Sequence, residues 1–440
     1  MIIQPSASYA GFSATRPERA PSPPQDGFSS SPEPAGTPTA AQLRQLFHQS
    51  DSALGEFEVW RAKIAPGNNT PPALTPDGSL IIQTDQGLVT LSSRGEKTGE
   101  TRIEGLSSYA VPLRDQQGNV FLSTLEGMTC VRPQGTIGWQ KPFGSTEVAP
   151  VFGPEGTLYH GNYSGMLRRI DAEGNQLWER HVNPEDENTH INWAMVSLPT
   201  GEVVANEDPG ILHCFDQDGK HRWTKFKDSP DCKEVAVTPE GELLVTLDGN
   251  SLACYDRDGK TKWHYDSELG RPLKDGEEAG TWGNTVVSSQ AVLSPDGQSI
   301  FVAGSSGTLT SLDRQGNQRW VREFDLHTND RGVQVGEDGT VYLCDGNGGV
   351  HALDPDSGET RWEFHTGAHQ QYTNIATRGD MVYLSTHEGD VHALSQNALK
   401  HRVEAAELQE QQERPTQIEL GPNRVIIGGA WLRTRKPSAQ

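Results

Sequence analysis

Tryptophan recurs at a nearly regular interval along this chain, and no other feature of the sequence constrains the fold as strongly. Seven of the ten tryptophans follow the interval: Trp60, Trp139, Trp178, Trp223, Trp263, Trp320 and Trp362. The successive gaps are 79, 39, 45, 40, 57 and 42 residues. The first gap is twice the common step, and its missing member falls at Gly99. A period near 40 residues indicates a repeated supersecondary unit. We call these seven residues the lattice tryptophans.

Short strands and tight turns fill each interval. The clearest unit, 332–362, begins with an alternating strand that ends at a turn, Glu337-Asp-Gly339. A second strand, a glycine-rich turn and a third strand follow, and Asp354-Pro-Asp-Ser-Gly358 leads into a fourth strand that carries Trp362. Four short antiparallel strands joined by turn residues predict one blade of a β-propeller.

The number of blades and the closure of the ring come from counting strands. A literal count gives nine first strands, whereas propellers typically have 4–8 blades. After Trp362 the next lattice slot falls at Arg402, and the last strands (416–420, 424–428 and 431–434) lack a fourth member. The strand at 57–64 lacks a blade, and pairing it with these strands would remove the exposed edges. We therefore predict an all-β propeller of four-stranded antiparallel blades, eight by the norm and nine by literal count, closed by the N-terminal strand 57–64.

Composition divides the rest of the chain. Residues 1–38 are rich in proline and serine and predict a disordered leader, with an export signal or docking tail as the functional alternative. Residues 39–56 predict a short helix and linker, because Leu43, Leu46 and Phe47 form one apolar stripe at helical spacing. The propeller then covers 57–434, and 435–440 form a tail.

Charge and cysteine content exclude several function classes. The net charge of −22 disfavours nucleic acid and anionic membranes as partners, since both require clustered basic residues. No apolar stretch has the roughly 20 residues of a membrane span. The five cysteines form no Cys-x-x-Cys pair and predict buried, reduced thiols. Because the N-terminus lacks a secretory signal pattern, we expect a cytoplasmic monomer, with secretion by a non-Sec route as the alternative.

The segment Ala352-Leu-Asp-Pro-Asp-Ser-Gly-Glu-Thr-Arg-Trp362 resembles the tryptophan-docking motif of PQQ-type propeller repeats. That motif reads Ala-x-Asp-x-x-Thr-Gly-x-x-x-Trp, and Ser357 stands here in place of threonine. The resemblance covers about 57–434. It implies a propeller in which each indole stacks between neighbouring blades, so the seven lattice tryptophans would be structural.

The resemblance implies two kinds of function. Quinoprotein dehydrogenases of this family hold PQQ and Ca²⁺ in the axial funnel against two adjacent cysteines, and this chain has no Cys-Cys pair. The chain also resembles the BamB-like scaffold class, which lacks the cofactor. We expect a non-catalytic scaffold without a cofactor that binds a protein, a peptide or a small ligand. The alternatives are a PQQ- and Ca²⁺-dependent oxidoreductase or its remnant, and an exported effector with an N-terminal secretion leader.

Other patterns with possible chemistry favour structural interpretations. Turns such as Asp216-Gln-Asp-Gly219 carry two carboxylates and lack the further oxygen ligands of a calcium loop. His213, His351 and His392 share one position on third strands, but they lie in separate blades and do not predict one metal site. Because the chain also lacks a Gly-x-Ser-x-Gly, Walker or His-Glu-x-x-His motif, we predict no catalytic or metal-ligating residue.

The best functional lead is a pair of insertions, Asn183–Asn192 and Glu268–Asn284, which both connect a fourth strand to the next first strand. Propeller connectivity places such loops on the same face, and insertions on one face often mark the binding face. The hypothesis is a polar, aromatic mouth at the axial pocket, and the alternative is that the loops only cover the ring. The candidate binding residues are His190, Asn192, Trp193, Trp282, Asn284, Arg331, Tyr372 and Asn374.

Overall fold

The structure is a computed structural model. It describes residues 54–413, 418–419, 425–427 and 430–431, apart from internal gaps at 68–69, 76, 108–109, 134, 187, 228–231, 248–250, 275, 278–288, 305–306, 325–327, 346–347 and 367–373. The predicted leader at 1–38, the helix expected within 39–49 and the tail at 435–440 lie outside the described residues.

Eight antiparallel sheets form the blades of the propeller, and in seven of them the strands pair in chain order. In the eighth, the N-terminal strand takes the fourth place. The first four blades comprise β2 (Ala73–Leu74), β3 (Leu80–Thr84), β4 (Gly87–Leu91) and β5 (Lys97–Arg102); β6 (Leu113–Arg114), β7 (Val120–Thr124), β8 (Gly127–Val131) and β9 (Ile137–Lys141); β10 (Val151–Phe152), β11 (Leu158–Gly161), β12 (Met166–Ile170) and β13 (Gln176–His181); and β14 (Ile191–Ser197), β15 (Val203–Glu207), β16 (Ile211–Phe215) and β17 (His221–Lys225). A 3₁₀ turn, Pro154–Gly156, joins β10 to β11.

The remaining blades follow the same order, and the fifth has one additional short strand. They comprise β18 (Cys232–Val237), β19 (Leu243–Leu247), β20 (Ser251–Tyr255), β21 (Thr261–Asp266) and β22 (Arg271–Pro272); β23 (Val292–Leu293), β24 (Ser299–Gly304), β25 (Thr308–Asp313) and β26 (Gln318–Glu323); β27 (Thr328–Val335), β28 (Val341–Asp345), β29 (Gly349–Leu353) and β30 (Thr360–His365); and β31 (Asn374–Arg378), β32 (Met381–Ser385), β33 (Asp390–Leu394) and β1 (Glu58–Lys63).

The N-terminal strand β1 closes the ring, as predicted, by supplying the fourth strand of blade 8. It runs antiparallel to β33, with Arg61 opposite His392. The predicted partners of this strand were wrong, because the C-terminal strands β34 (Ile418–Glu419), β35 (Val425–Ile427) and β36 (Ala430–Trp431) form a separate three-stranded sheet. The ring therefore has eight blades, and the literal count of nine included strands that belong to no blade.

A helix accounts for the error in the strand count. After β33 the chain forms α1 (Ala398–Glu413), so the lattice slot at Arg402 lies in a helix and not in a fourth strand. The segment ALKHRVEAAELQEQQE consists largely of Ala, Leu, Glu, Gln, Lys and Arg, which have the highest helix propensities. The high helix propensity of this segment therefore ends the series of four-stranded repeats, although the tryptophan period continues to Arg402.

The hydrophobic core is divided among the junctions between blades. Eight apolar clusters of described residues each combine side chains from two neighbouring blades, and one of them joins blade 8 to blade 1. Second strands such as β3 and β7 are buried along their whole length, because both faces of a blade pack against neighbours. Fourth strands such as β5 are largely exposed at the rim.

Six lattice tryptophans dock on the following blade. Each indole N–H donates to a carbonyl in the turn between the third and fourth strands of that blade, at 2.8–3.0 Å, in the pairs Trp60–Ser93, Trp139–Ala172, Trp178–Gln217, Trp223–Arg257, Trp263–Arg314 and Trp320–Pro355. The ring lies against the turn glycine; a Cβ at Gly219, for example, would come within 2.8 Å of Trp178. The indole therefore clamps one blade to the next.

Two junctions use other contacts. Blade 1 has Gly99 at the tryptophan position, and Thr101 Oγ1 donates to the Gly135 carbonyl at 2.8 Å. In blade 7, Trp362 stacks on Phe57, with ring centroids 5.0 Å apart. Phe57 stands just before the closing strand, so this stack belongs to the closure of the ring. No helix in the described part of the chain is long and apolar enough to cross a membrane.

Candidate functional site

One face of the ring carries every connection from a fourth strand to the next first strand, together with the turns between second and third strands. We call it the loop face. Two of its connections contain the predicted insertions: 182–190, between β13 and β14, and 267–291, between β21 and β23. The second is the longest connection on this face, whereas the first is shorter than 103–112, between β5 and β6. Part of the second connection returns as β22, which pairs with β21, so the insertion extends blade 5.

The structure places the eight candidate residues as follows. Trp193, Arg331 and Asn374 lie on the first strands β14, β27 and β31, and only their backbone is described. His190 is exposed at the end of the 182–190 connection, and Asn192 is half-buried on β14. The other three candidates, Trp282, Asn284 and Tyr372, lie outside the described residues. First strands line the ring axis. Because the side chains of Trp193, Arg331 and Asn374 are not described, the predicted convergence near the axis stays a prediction.

The 182–190 connection is held by a buried carboxylate that is not among the eight candidate residues. Glu207, at the end of β15, is 3% exposed. Its Oε1 accepts hydrogen bonds from Asn183 Nδ2 at 3.0 Å and Thr189 Oγ1 at 3.1 Å. Its Oε2 lies 2.5 Å from His213 Nε2. A buried carboxylate needs such partners, since an unpaired buried charge is costly.

The protonation of His213 follows from its surroundings. Burial lowers the pKa of His213, and the hydrogen bond and charge of Glu207 oppose this only in part. The ring is therefore neutral at neutral pH, with its N–H on the nitrogen that faces Glu207. The other nitrogen, Nδ1, then accepts from Thr224 Oγ1 at 3.1 Å. Glu207, His213 and Thr224 thus tie the connection to blade 4.

A sequence signal for Glu207 does exist. An acid at the end of a second strand precedes the third-strand histidine by six residues twice, as Glu207 and His213 and as Asp345 and His351. In both cases the structure joins the acid to the histidine Nε2, at 2.5 and 3.0 Å. The recurrence shows that the pair is a structural element of the repeat.

Further bonds order the exposed part of this connection. Within it, Asn188 N donates to Asp186 Oδ1 at 2.9 Å, and Asp208 N from the neighbouring turn donates to the His190 carbonyl at 2.9 Å. The His190 ring also contacts Tyr163, with centroids 6.0 Å apart. The loop therefore presents exposed side chains on a fixed backbone, which lowers the entropy cost of binding.

The loop face is strongly acidic. Its described connections expose nine carboxylates: Asp85, Glu104, Glu126, Glu185, Asp186, Asp208, Glu268, Glu277 and Glu388. The same connections carry three basic side chains, Lys227, Arg271 and Lys274. Two of these are already in ion pairs, Lys227 with Glu185 at 3.1 Å and Arg271 with Glu277 at 2.8 Å. The described connections of this face therefore carry a net negative charge.

The axial cavity has a volume of about 290 Å³ and is lined by residues at or next to the first strands of blades 1 to 7. Its described lining is mostly aliphatic, with Glu234, Gln290 and Gln334 as the polar side chains. PQQ carries three carboxylates, and this lining offers no basic side chain to balance them. No group of three potential ligands able to hold a metal ion occurs among the described residues. The described lining therefore does not fit a PQQ–Ca²⁺ centre.

Comparison with known proteins identifies the repeat family. The sequence profile described as outer membrane protein assembly factor BamB matches residues 163–397 and 323–429. The fold is similar to the crystal structure of BamB from Moraxella catarrhalis, with TM-score 0.55 and 15% identity, covering 77% of this chain and 99% of that one. It is also similar to the computationally designed Ika8 protein, with TM-score 0.60, 12% identity and the same coverage. No curated protein sequence matches the chain.

Proposed function

Because this chain belongs to the BamB-like family of PQQ-type β-propellers, we propose that it is a non-catalytic scaffold that binds a protein or peptide through its loop face. The family description names an assembly factor, and such a factor acts on other proteins. The observation that carries the proposal is the 182–190 connection, in which a buried Glu207 fixes an exposed, acidic loop. A stable interface buries roughly 800 Å² per partner, and one face of an eight-bladed ring provides that area.

The charge of the loop face indicates the chemistry of the partner. Nine exposed carboxylates against three basic side chains favour a partner segment rich in lysine or arginine. The off-lattice tryptophans Trp193 and Trp282 would supply aromatic contacts near the axis, since tryptophan is enriched among the residues that dominate binding energy.

We predict that replacing both Trp193 and Trp282 with alanine abolishes partner capture without unfolding the ring, because neither belongs to the lattice. The measurement is affinity capture from the native organism, quantified by mass spectrometry and accompanied by thermal unfolding. The matched control replaces the exposed rim residues Ile137 and Leu177, which should leave capture unchanged.

Unchanged capture by the double tryptophan variant would remove the proposed binding site. A quinone chromophore that co-purifies with the protein, or a melting temperature raised by PQQ together with Ca²⁺, would instead favour the oxidoreductase alternative.

A further inference from the structure

A second cavity lies between blades 3 and 4, away from the ring axis, with a volume of about 550 Å³. Blade 3 contributes Arg180, His181 and Val182 to its lining, and blade 4 contributes His213 and His221. Lys227 also lines it. The cavity is large enough for a small organic molecule.

Internal repetition shows what usually fills this position. His213 immediately precedes the third-strand residue that pairs with the lattice tryptophan, since Cys214 lies opposite Trp223. The same register position is occupied by Arg168 in blade 3, His351 in blade 7 and His392 in blade 8. Four blades therefore place a planar nitrogen-containing side chain at one equivalent point.

At the other three positions a phenyl ring from the preceding blade packs on this side chain. The Arg168 guanidinium lies 5.3 Å from the centroid of the Phe143 ring. His351 and Phe324 have ring centroids 5.1 Å apart, and His392 and Phe364 have centroids 5.5 Å apart.

At His213 the preceding blade supplies Val182 in place of a ring. Val182 and Phe324 are equivalent, because each lies four residues after a lattice tryptophan. Each also donates its N–H to a glycine carbonyl in the turn between the second and third strands, Val182 to Gly165 at 2.9 Å and Phe324 to Gly307 at 2.8 Å. Valine is smaller than phenylalanine by most of a phenyl ring, and both Val182 and His213 line the cavity.

The polar groups around the cavity indicate which functional group an aromatic ligand would carry. Lys227 is largely exposed, and its ammonium has three donors, of which the ion pair with Glu185 uses one. His181 Nδ1 is buried and has no hydrogen-bond partner among the described residues. The Glu207 carboxylate already accepts from Asn183, Thr189 and His213. The described rim therefore offers donors of Lys227 to an anionic group, beside the Glu185 carboxylate that already accepts from this ammonium.

We propose that the cavity between blades 3 and 4 binds an aromatic carboxylate, whose ring stacks on His213 and whose carboxylate is bound by Lys227. The ligand supplies the ring that Phe143 and Phe324 provide from the position of Val182, and that Phe364 provides from a position two residues earlier in its blade. The cavity shares Asn183, Glu185 and Glu207 with the 182–190 connection, but its lining includes neither Trp193 nor Trp282. The double tryptophan variant therefore tests the loop-face function separately.

The test measures binding of 3-phenylpropionate to the full chain by calorimetry, with 3-phenylpropanol as the uncharged analogue. Val182→Phe fills the space with the residue found in blade 6 and should weaken binding of both probes by at least about tenfold. Lys227→Gln should weaken the carboxylate by about tenfold and leave the alcohol unchanged, because only the carboxylate uses the ammonium. A peptide carrying one exposed phenylalanine tests whether a partner's side chain can supply the ring.

Thermal unfolding separates loss of binding from loss of folding. Val182→Phe should melt no lower than the natural protein, since the equivalent junction accommodates phenylalanine. If Val182→Phe melts lower, Val182→Leu fills less of the cavity and should show a smaller loss of affinity than Val182→Phe. Absence of 3-phenylpropionate binding, or equal affinity in the natural protein and the Val182 variants, would overturn the proposal.

Discussion

At the residue scale, the fold depends on a contact between one glycine and one indole at six of the eight junctions. The turn glycine takes a positive φ, and the indole of the preceding blade lies against its Cα. Both conditions exclude a side chain, the first through backbone strain and the second through lack of space. Turn chemistry and tryptophan spacing are therefore two parts of one interaction.

Two glycines allow the effect of the positive φ to be tested separately from the lack of space beside the indole. Gly219 has φ +76° and an ideal Cβ there would lie 2.8 Å from Trp178, whereas Gly156 has φ +75° and nothing within 4 Å. Gly156→Ala should cost about 1–2 kcal/mol from the backbone conformation alone. Gly219→Ala should cost a further 1–3 kcal/mol, roughly, because the indole must move. Denaturant unfolding measures both, and equal losses would contradict the clamping role of Trp178.

The sequence reveals this interaction more readily than the buried polar residues. Tryptophan is rare enough for its period to be visible, and the turns beside it have a distinctive composition. Glu207 resembles any other acidic residue in the sequence, since its importance comes from burial and from partners such as Asn183 and His213. Only the six-residue spacing from acid to histidine marks it.

At the element scale, strand β1 closes the ring through a charged contact as well as its backbone ladder. Glu58 is fully buried, and its carboxylate binds His392 of β33 at 2.6 Å and Arg61 at 2.8–2.9 Å. Burial alone would raise the pKa of Glu58, but hydrogen bonds from His392, Arg61 and the Gly55 amide together lower it to about 2. The charged carboxylate is thus part of the closure.

This pKa shift predicts acid-sensitive closure. The folded pKa of Glu58 lies below its unfolded value, so its stabilisation is fully present above about pH 5 and is lost as the pH falls towards 2. The free energy of unfolding should fall by roughly 3 kcal/mol across that range from this group. Glu58→Gln should be destabilised at pH 7 and show a weaker pH dependence. Glu56→Gln, an exposed neighbour, is the control, and identical pH profiles for the two variants would contradict the assignment.

The sequence predicts that a strand closes the ring, but not which strand it pairs with. The pattern at 57–64 is visibly a strand without a blade. The tryptophan period reaches Arg402 and so predicts a further repeat after β33. The helix propensity of the segment after β33 determines the structure there, so β1 fills the fourth place of blade 8.

At the scale of the whole molecule, the two faces of the ring differ in how their charges are balanced. The face that carries the turns between third and fourth strands pairs carboxylates with arginines, as in Arg257 with Glu202 at 2.6 Å and Arg314 with Glu240 at 2.8 Å. The loop face exposes nine carboxylates with few cations. The opposite face also exposes many carboxylates, among them Glu155, Asp258 and Asp356. A basic partner that docks on the loop face would be steered mainly by the carboxylates near it, because salt screens more distant charges.

Charge reversal tests this difference. Replacing Glu126, Glu268 and Glu388 with lysine should slow association with a captured basic partner by about tenfold or more at low salt, and by less at high salt. Three lysines in place of Glu173, Asp218 and Glu337 on the opposite face give the same net charge. Surface plasmon resonance measures both rates, and equal slowing by the two variants would show that only net charge matters.

Disulfide trapping of the closing strand tests the ring itself most directly. None of the five native cysteines forms a disulfide, and all are buried, so introduced thiols can be followed on their own. Ala62 lies opposite Val391 in the ladder between β1 and β33. Cysteines at these two positions should cross-link rapidly on oxidation in the folded protein, and cysteines at Ala62 and Ile426 should not. Cross-linking of the second pair without the first would show that the C-terminal strands close the ring and would contradict the eight-bladed architecture.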